Sequence, residues 1–465
     1  MSSKLKFSKM AALALATCLS GPAVHAQSLA DTLINAYNHS GLLVQNRALL
    51  RAADEDVAQS VALLRPTLDY SASYSYTNSH NNFSGTTNSG VSSIGLTAGW
   101  LLYDFGRSKL GIDASKETVL LTRDALLGIE QDVLLRGLEA HMNVRRSREF
   151  VSLAENSVRL ISEELRAARD RFEVGEVTRT DVSLAEARLA SARSTLAAAQ
   201  GSLASSREEY RAAVGGYPNN PAAPGALPKT ATSLDVARDV AVRTHPDMSQ
   251  AKRSITVAEI NVARADTAKL PTVSAFADLS HNFGDLSVGD RREDATVGLQ
   301  LSGTIYQGGS LASQTRQAIA QRDAARGALH FVRHSIGQEV GNAWSAILVA
   351  EASVSAGNQQ VRAAQEAFDG TREEAQLGAR TTLDVLDAEQ DLLDAQADLV
   401  SAQIDVYIAS YQLLSSMGLM TVDHLNLGIP TYDPAAYYNA VKGAPAGLSQ
   451  QGKDLDRVLR AIGKE

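Results

Sequence analysis

Apolar and polar residues alternate along four short stretches of this chain, and apolar residues recur every seventh position along two long ones. Leu68, Tyr70, Ala72, Tyr74 and Tyr76 alternate with Asp69, Ser71, Ser73 and Ser75. Ile94, Leu96, Ala98, Trp100 and Leu102 alternate with smaller or more polar residues until Leu101. Val273, Ala275, Ala277 and Leu279 alternate less cleanly, because Phe276 interrupts the polar side. Val297, Leu299, Leu301, Gly303 and Ile305 alternate with Gly298, Gln300, Ser302 and Thr304. A period of two predicts strands with one apolar and one polar face. Each run is roughly the 9–11 residues that a tilted strand needs to cross a bilayer. Lipid on one side and a wet lumen on the other fit that alternation. The connecting stretches, Ser79 to Val91 and Gly284 to Glu293, are polar and read as surface loops. Tyr70, Tyr74, Tyr76, Trp100, Tyr103 and Tyr306 are candidates for an interfacial aromatic girdle.

The seven-residue period runs through Val182, Leu189, Leu196, Leu203 and Tyr210, and again through Leu386, Leu393, Val400, Tyr407 and Leu414. Such spacing predicts helices that pack along their length as a coiled coil. From Arg107 to about Phe172 there is no proline, and the only glycines are Gly111, Gly128 and Gly137. One helix over that stretch would be on the order of 100 Å long. Taken alone, these helices describe a soluble rod; the four alternating runs argue against one.

Everything occurs twice. Ser28-Leu29 opens a helical segment that runs to Pro66, and Ser233-Leu234 opens another that runs to Pro271, 38 positions in each case. YDFGRS from Tyr103 is echoed by YQGGS from Tyr306, and 69 positions separate Gly106 from Gly175 and Gly309 from Gly378. VGEVTRTDVSLAEA from Val174 matches LGARTTLDVLDAEQ from Leu377, and the halves close on Gly215 and Gly418. A self-similarity of this kind organises the whole fold. The first repeat is expected over 27–217, with a β-hairpin at about 67–103, a long helix at about 107–172 and a further helix at about 180–214. The second is expected over 233–418, with a hairpin at about 272–306 and helices at about 310–375 and 383–416. Residues 218–232, with Pro218, Pro221, Pro224 and Pro228, read as the linker, and 419–465 as a C-terminal periplasmic tail.

Strands in lipid force a quaternary expectation. No water is present there to satisfy an open edge, so the sheet must close. Barrels of this kind begin at about eight strands, and four cannot close. Copies of the chain must therefore pool strands: two would give eight and three would give twelve.

The N-terminus sets the compartment. Lys4, Lys6 and Lys9 precede the apolar stretch Ala11 to Leu19, and Val24-His25-Ala26 follows at a cleavage spacing. Residues 1–26 thus read as a cleaved signal peptide. Cys18, the single cysteine, lies inside it, and Thr17 stands where a lipoprotein signal prefers Gly or Ala. Cleavage after Ala26 leaves no thiol, which excludes disulfides and thiolate metal sites. Loss of the three lysines takes the formal charge from −8 to −11. An acidic chain has no electrostatic reason to hold nucleic acid. After the leader no stretch of 18 or more apolar residues remains, so no transmembrane helix is expected.

YDFGRS, YQGG and LGARTTLDVLDAEQDLLDAQ from Leu377, set in this duplicated plan, resemble the TolC family of outer-membrane efflux proteins across essentially the whole mature chain. IPTYDPAAYYNAV, from Ile429 to Val441, is similar to the branch associated with type I protein secretion. The resemblance implies a mixed α+β membrane fold. In it a homotrimer shares a twelve-stranded transmembrane β-barrel, four strands per chain, continued by a twelve-helix periplasmic coiled-coil barrel. It also implies a passive, gated exit from the cell, docked to a periplasmic adaptor and driven by an inner-membrane ABC or proton-driven transporter.

Asp384 and Asp387 lie three apart at the start of a helix and share a face. Repeated around a symmetric tunnel they would ring it with carboxylates and favour cations. Acids in a first helical turn also simply complement the helix dipole. The resemblance matches the two aspartates to the family's acidic constriction, Arg380 to its basic gate residue, and Thr180 and Asp181 to that residue's partners. It also implies a tyrosine, in some members, where this chain has Ala375, so one strand of the gate network is expected to be missing.

No enzyme is expected. There is no phosphate-cradling glycine motif, and no serine sits in a nucleophile elbow. His330 and His334 stand four apart on a helix, but no carboxylate follows in register, so two exposed histidines are expected rather than a metal site. No cofactor is implied. The other reading of the chain is a soluble periplasmic coiled-coil scaffold or adaptor.

Overall fold

The computed structural model describes residues 27–83, 85–284, 291–447 and 449–462. The signal peptide expected over 1–26, with Cys18, lies outside them. Each repeat begins with two helices. In the first, α1 (Leu29–His39) starts at Ser28, whose hydroxyl accepts from the Asp31 amide while the Asp31 carboxylate accepts from Ser28 in return. That reciprocal pair satisfies amides that a helix start leaves open. After α1 comes α2 (Gly41–Ala62), then strands β1 (Thr67–Asn81) and β2 (Gly85–Tyr103), then α3 (Arg107–Glu173) and α4 (Arg179–Val214). The second repeat gives α5 (Leu234–Thr244), α6 (Pro246–Thr267), β3 (Thr272–Phe283), β4 (Arg291–Ser302), α7 (Ser310–Gln376) and α8 (Thr382–Ser416). Two short helices follow, α9 (Pro434–Val441) and α10 (Gln450–Ile462). The long helices α3 and α7 are 67 residues each.

The chain forms two structural units. One is all-helical: it takes in α1, α3 from Leu134, α4 and the chain to Lys229, and the α7–α8 hairpin from Ala346 to Tyr411. Its core is the seam that the seven-residue period marks. Ile161, Leu165, Ala185, Leu189 and Leu386 form one buried cluster, and Phe368, Ala375, Val385 and Leu392 another.

The other unit holds Gly41–Val133, Thr230–Ser345 and the chain from Gln412, and contains the sheet. Its strands pair antiparallel in the order β1-β2-β3-β4. Directly paired residues share a face, so the register decides where every alternating residue goes. Tyr70 pairs with Leu96, Leu96 with Leu279 and Leu279 with Ala295, while Ala98 pairs with Ala277 and Ala277 with Val297. All four apolar rows therefore lie on one side. The other side carries Asp69, Ser71 and Ser73, and there the Thr97 hydroxyl donates to Asp278 at 2.6 Å.

Three features of the sheet differ from the alternation. The hairpins run on to Asn81 and Gly85, and β4 starts at Arg291, within stretches expected as loops. Ser79 pairs with Thr87 and His80 with Thr86 there, so both faces are polar and no period of two announces the strand. β4 also stops at Ser302, before Gly303 and Ile305, because its last partner is Thr272 and the preceding Pro271 has no N–H to extend the ladder. Phe276 remains on the polar side opposite Gly298, where an added Cβ would lie 2.8 Å from the ring. The glycine leaves room for the ring to lie across the neighbouring strand.

The turns entering α3 and α7 explain the two tyrosine motifs. Phe105 (φ 54°) and Gly106 (φ 87°) are both left-handed, as are Gly308 (φ 55°) and Gly309 (φ 81°). Asp104 takes the strain at Phe105 by accepting from the amides of Gly106 at 3.1 Å and Ser108 at 2.6 Å. At the far ends Gly215 (φ 91°) and Gly418 (φ 74°) close α4 and α8, and a Cβ on either would lie 2.6 Å from His39 or His245. Only glycine meets both the dihedral and the contact.

Candidate functional site

The sheet's apolar face is open to its surroundings. Tyr70 is 86% exposed, Val297 84%, Leu299 73% and Leu68 72%. Outer strands β1 and β4 each have one unpaired edge among the described residues. The Trp100 indole donates to the Leu64 carbonyl at 3.0 Å and so anchors the helix-side end of β2 beside α2. No described helix is long and apolar enough to cross a membrane.

Within the helical unit lie two matched helix turns. α3 ends where Gly175 (φ 81°) lets the Glu176 amide reach back to the Arg171 carbonyl at 2.9 Å. α7 ends likewise at Gly378 (φ 76°), with the Ala379 amide on the Glu374 carbonyl at 2.9 Å. Both are six-to-one closures of the Schellman type. The next helices start with matching caps. Thr178 and Asp181 exchange hydrogen bonds at α4, the Thr178 hydroxyl donating to Asp181 at 2.7 Å. Thr381 and Asp384 do so at α8, at 2.8 Å.

These caps decide what two of the candidate residues do in one chain. Asp384 accepts from the Thr381 amide at 2.9 Å as well as from its hydroxyl, and both bonds hold its carboxyl below the usual carboxylate range. Asp181 is occupied equivalently by Thr178. Arg380 donates through Nε to Glu374 at 2.8 Å across its own turn, which keeps the guanidinium charged. Asp387, exposed, forms an ion pair with Arg188 on α4.

Two further ties join the repeats beside them. Arg372 on α7 meets Glu164 on α3 at 3.1 Å. Ser157 on α3 donates at 2.9 Å to Glu389 on α8, a side chain only 5% exposed. Burial pushes the Glu389 carboxyl up to about 6, against the hydrogen bond from Ser157. Ala375 is buried between α7 and α8 and borders a cavity of about 100 Å³ that Glu163, Arg171 and Thr382 also line.

The sequence model for outer membrane efflux proteins matches this chain twice, over residues 34–216 and 238–419. The chain belongs to that family. BepC, an outer membrane efflux protein of Brucella suis, is 34% identical over 440 residues, which cover 94% of this chain and 95% of BepC. Outer membrane protein TolC of Escherichia coli is 26% identical, covering 78% of this chain and 77% of TolC. The alkaline protease secretion protein AprF of Pseudomonas aeruginosa is 27% identical over 74% of this chain and 73% of its own length. Among solved structures, CusC superposes with a TM-score of 0.73 at 19% identity, covering 84% of this chain and 92% of CusC. Membership makes this outer membrane efflux protein a transport-channel subunit of the outer membrane.

As a member of this family the chain does not bring all five gate candidates together. Arg380 and Asp384 face each other across one turn, but Thr180 is exposed on α4 and makes no side-chain hydrogen bond among the described residues. Arg380 is occupied by Glu374 rather than by Asp181 or Thr180. Sequence reasoning passed over Arg188, Glu374, Ser157 and Glu389. Glu374 was legible from its place four residues before Gly378; the others join different helices and leave no local signal. His330 and His334 lie along a groove with Asp235, Arg238 and Asp239, and no described cluster of His, Asp or Glu is disposed to hold a metal ion.

Proposed function

We propose that three copies of this chain pool their sheets into one twelve-stranded barrel, and that their long helices continue it as a periplasmic conduit. The observation that carries this is the four-stranded sheet with one open apolar face and two unpaired edges. In lipid such edges are satisfied only by strands of another copy. The conduit is passive and not an enzyme: an inner-membrane transporter, ABC or proton-driven, supplies the energy, and a periplasmic adaptor joins the two. Cargo then follows the transporter, so one exit serves protein secretion or small-molecule efflux.

The helix turns are the proposed gate. Asp384 and Asp387 from each copy ring the opening and favour cations. Arg380, released from Glu374, would reach Thr180 and Asp181 of an adjoining helix pair and hold the end closed. What supports this is the placement of four charged groups at two matched, solvent-exposed turns. The small cavity at Ala375 supports a looser closure than a tyrosine there would give.

The test is extraction and recording. The protein should leave membranes only with detergent, migrate as a trimer, and give a small cation-preferring conductance in a planar bilayer. A soluble monomer with the sheet intact would support a periplasmic scaffold instead.

A further inference from the structure

A buried carboxylate lies beneath the C-terminal segment. Asp54, on α2, is 0% exposed, and neither of its oxygens has a hydrogen-bond partner among the described residues. Buried carboxylates are nearly always paired or hydrogen-bonded, because an uncompensated buried charge is costly. Next to it Leu50, Val57 and Val119 form an apolar cluster against which Tyr432 and Tyr438 pack.

Residues 432–444 lie along α2 and α3 as a strap. Arg47 sits over the Tyr432 ring at 5.3 Å, and Arg123 on α3 over the Tyr438 ring at 5.3 Å. The Tyr437 hydroxyl donates to Glu55 at 2.6 Å, and Arg65 donates to the carbonyls of Gly443 and Ala444. The charged and titratable groups around Asp54 are Arg47, Arg51 and Glu55 on its own helix, Arg123 on α3, and Tyr432, Asp433 and Tyr437 on the strap. Arg123 is the cation that opposes the burial, but it forms no ion pair with Asp54, and its Nε has no partner either.

We propose that residues 432–444 are a pH-released strap: seated on α2 while Asp54 is protonated, and loosened once Asp54 is ionised beneath it. Neutral, Asp54 is a small polar group inside an apolar seat; charged, it favours water that only a lifted strap admits. Burial moves its carboxyl from the ordinary 3.8 up to about 6, while Arg123 pulls it down and Glu55 pushes it up. The sign follows from linkage. The seated form binds the proton more tightly, so seating is strongest in acid and weakens as pH rises towards 6. If lifting the strap restores the ordinary value, seating is about tenfold less favourable at pH 7.5 than at pH 5. The device is independent of the gate and of the number of copies.

Hydrogen exchange on the full-length, detergent-extracted protein reads this directly, since amide protection tracks local opening. After correction for the intrinsic pH dependence of exchange, amides of residues 435–441 should be about tenfold less protected at pH 7.5 than at pH 5. Asp54→Asn, which keeps the shape and removes the charge, should hold the strap equally well at both. Glu55→Gln should weaken protection at both values, through the lost Tyr437 bond, and make the ratio smaller, because the charge that pushes Asp54 up is gone. Equal protection of the wild-type strap at the two pH values overturns the proposal, as does a pH dependence that survives Asp54→Asn in a variant with unaltered helical circular dichroism.

Discussion

Arg188, on the last helix pair of the first repeat, is ion-paired with Asp387 on α8 of the second. The bond joins two halves that the sequence shows only as copies of one another. It also gives Asp387 a partner within its own chain.

The pair is partly exposed, with 38% of the Arg188 side chain and 54% of that of Asp387 open to solvent. Pairs of that exposure contribute about 0–1 kcal/mol. Arg188→Ala should therefore shift thermal unfolding only slightly. Under the proposed gate it should raise single-channel conductance while increasing cation preference, because Asp387 loses its counter-charge. A conductance trace and reversal potential matching wild type would remove Arg188–Asp387 from the gate.

Asp384 caps α8 and carries a charge, and two variants separate those roles. Asp384→Ala removes both: one half of the reciprocal cap at the start of α8 and a share of the cation selectivity. Thr381→Ala weakens the cap to a similar degree but keeps the carboxylate. Reversal potentials under a salt gradient should fall for Asp384→Ala and stay near wild type for Thr381→Ala. Equal selectivity in both variants would leave Asp384 with the capping role alone.

Leu299 and Gln300 are neighbours on β4 that point to opposite faces of the sheet. An arginine on the lipid face of a barrel costs about 2–4 kcal/mol at mid-depth, and far less on the lumen side. Leu299→Arg should sharply reduce the assembled oligomer in the membrane fraction, whereas Gln300→Arg should assemble normally and lower cation preference. Native gel migration and membrane yield distinguish them.

The strands, the long helices and the duplication were legible because each rests on a repeated local rule. The glycine landmarks kept their spacing because Gly106, Gly175 and Gly215, with Gly309, Gly378 and Gly418, all need left-handed backbone. The strand extensions around Asn81, Gly85 and Arg291 were not legible, since a strand wet on both faces has no apolar period. Nor was the occupancy of the turns. Thr381 and Asp384 are a capping pair by spacing, but the Ser157–Glu389 and Arg188–Asp387 contacts depend on how separate helices pack.

Glu389 supplies a pH test in the helical unit. Its carboxyl, normally near 4.5, is raised by burial to about 6, so the folded form prefers it protonated. Its contribution is most favourable below about pH 4.5 and is lost as pH rises through about 6. Glu389→Gln still accepts from Ser157 without the charge. It should raise thermal stability at pH 7.5, by an amount on the order of 1–2 kcal/mol, and make no difference near pH 4.5. Stabilisation of the same size at both pH values would mean that packing, not ionisation, separates the variant from wild type.

The order β1-β2-β3-β4, with every neighbour antiparallel, fixes how copies can meet. An even count leaves the first and last strands running in opposite directions, so a seam between copies repeats the hydrogen-bond geometry found inside each one. A ring built this way has no parity defect at any number of subunits. The sheet therefore makes every seam of the wall antiparallel, like the pairs inside each copy, and leaves the number of copies to be fixed elsewhere.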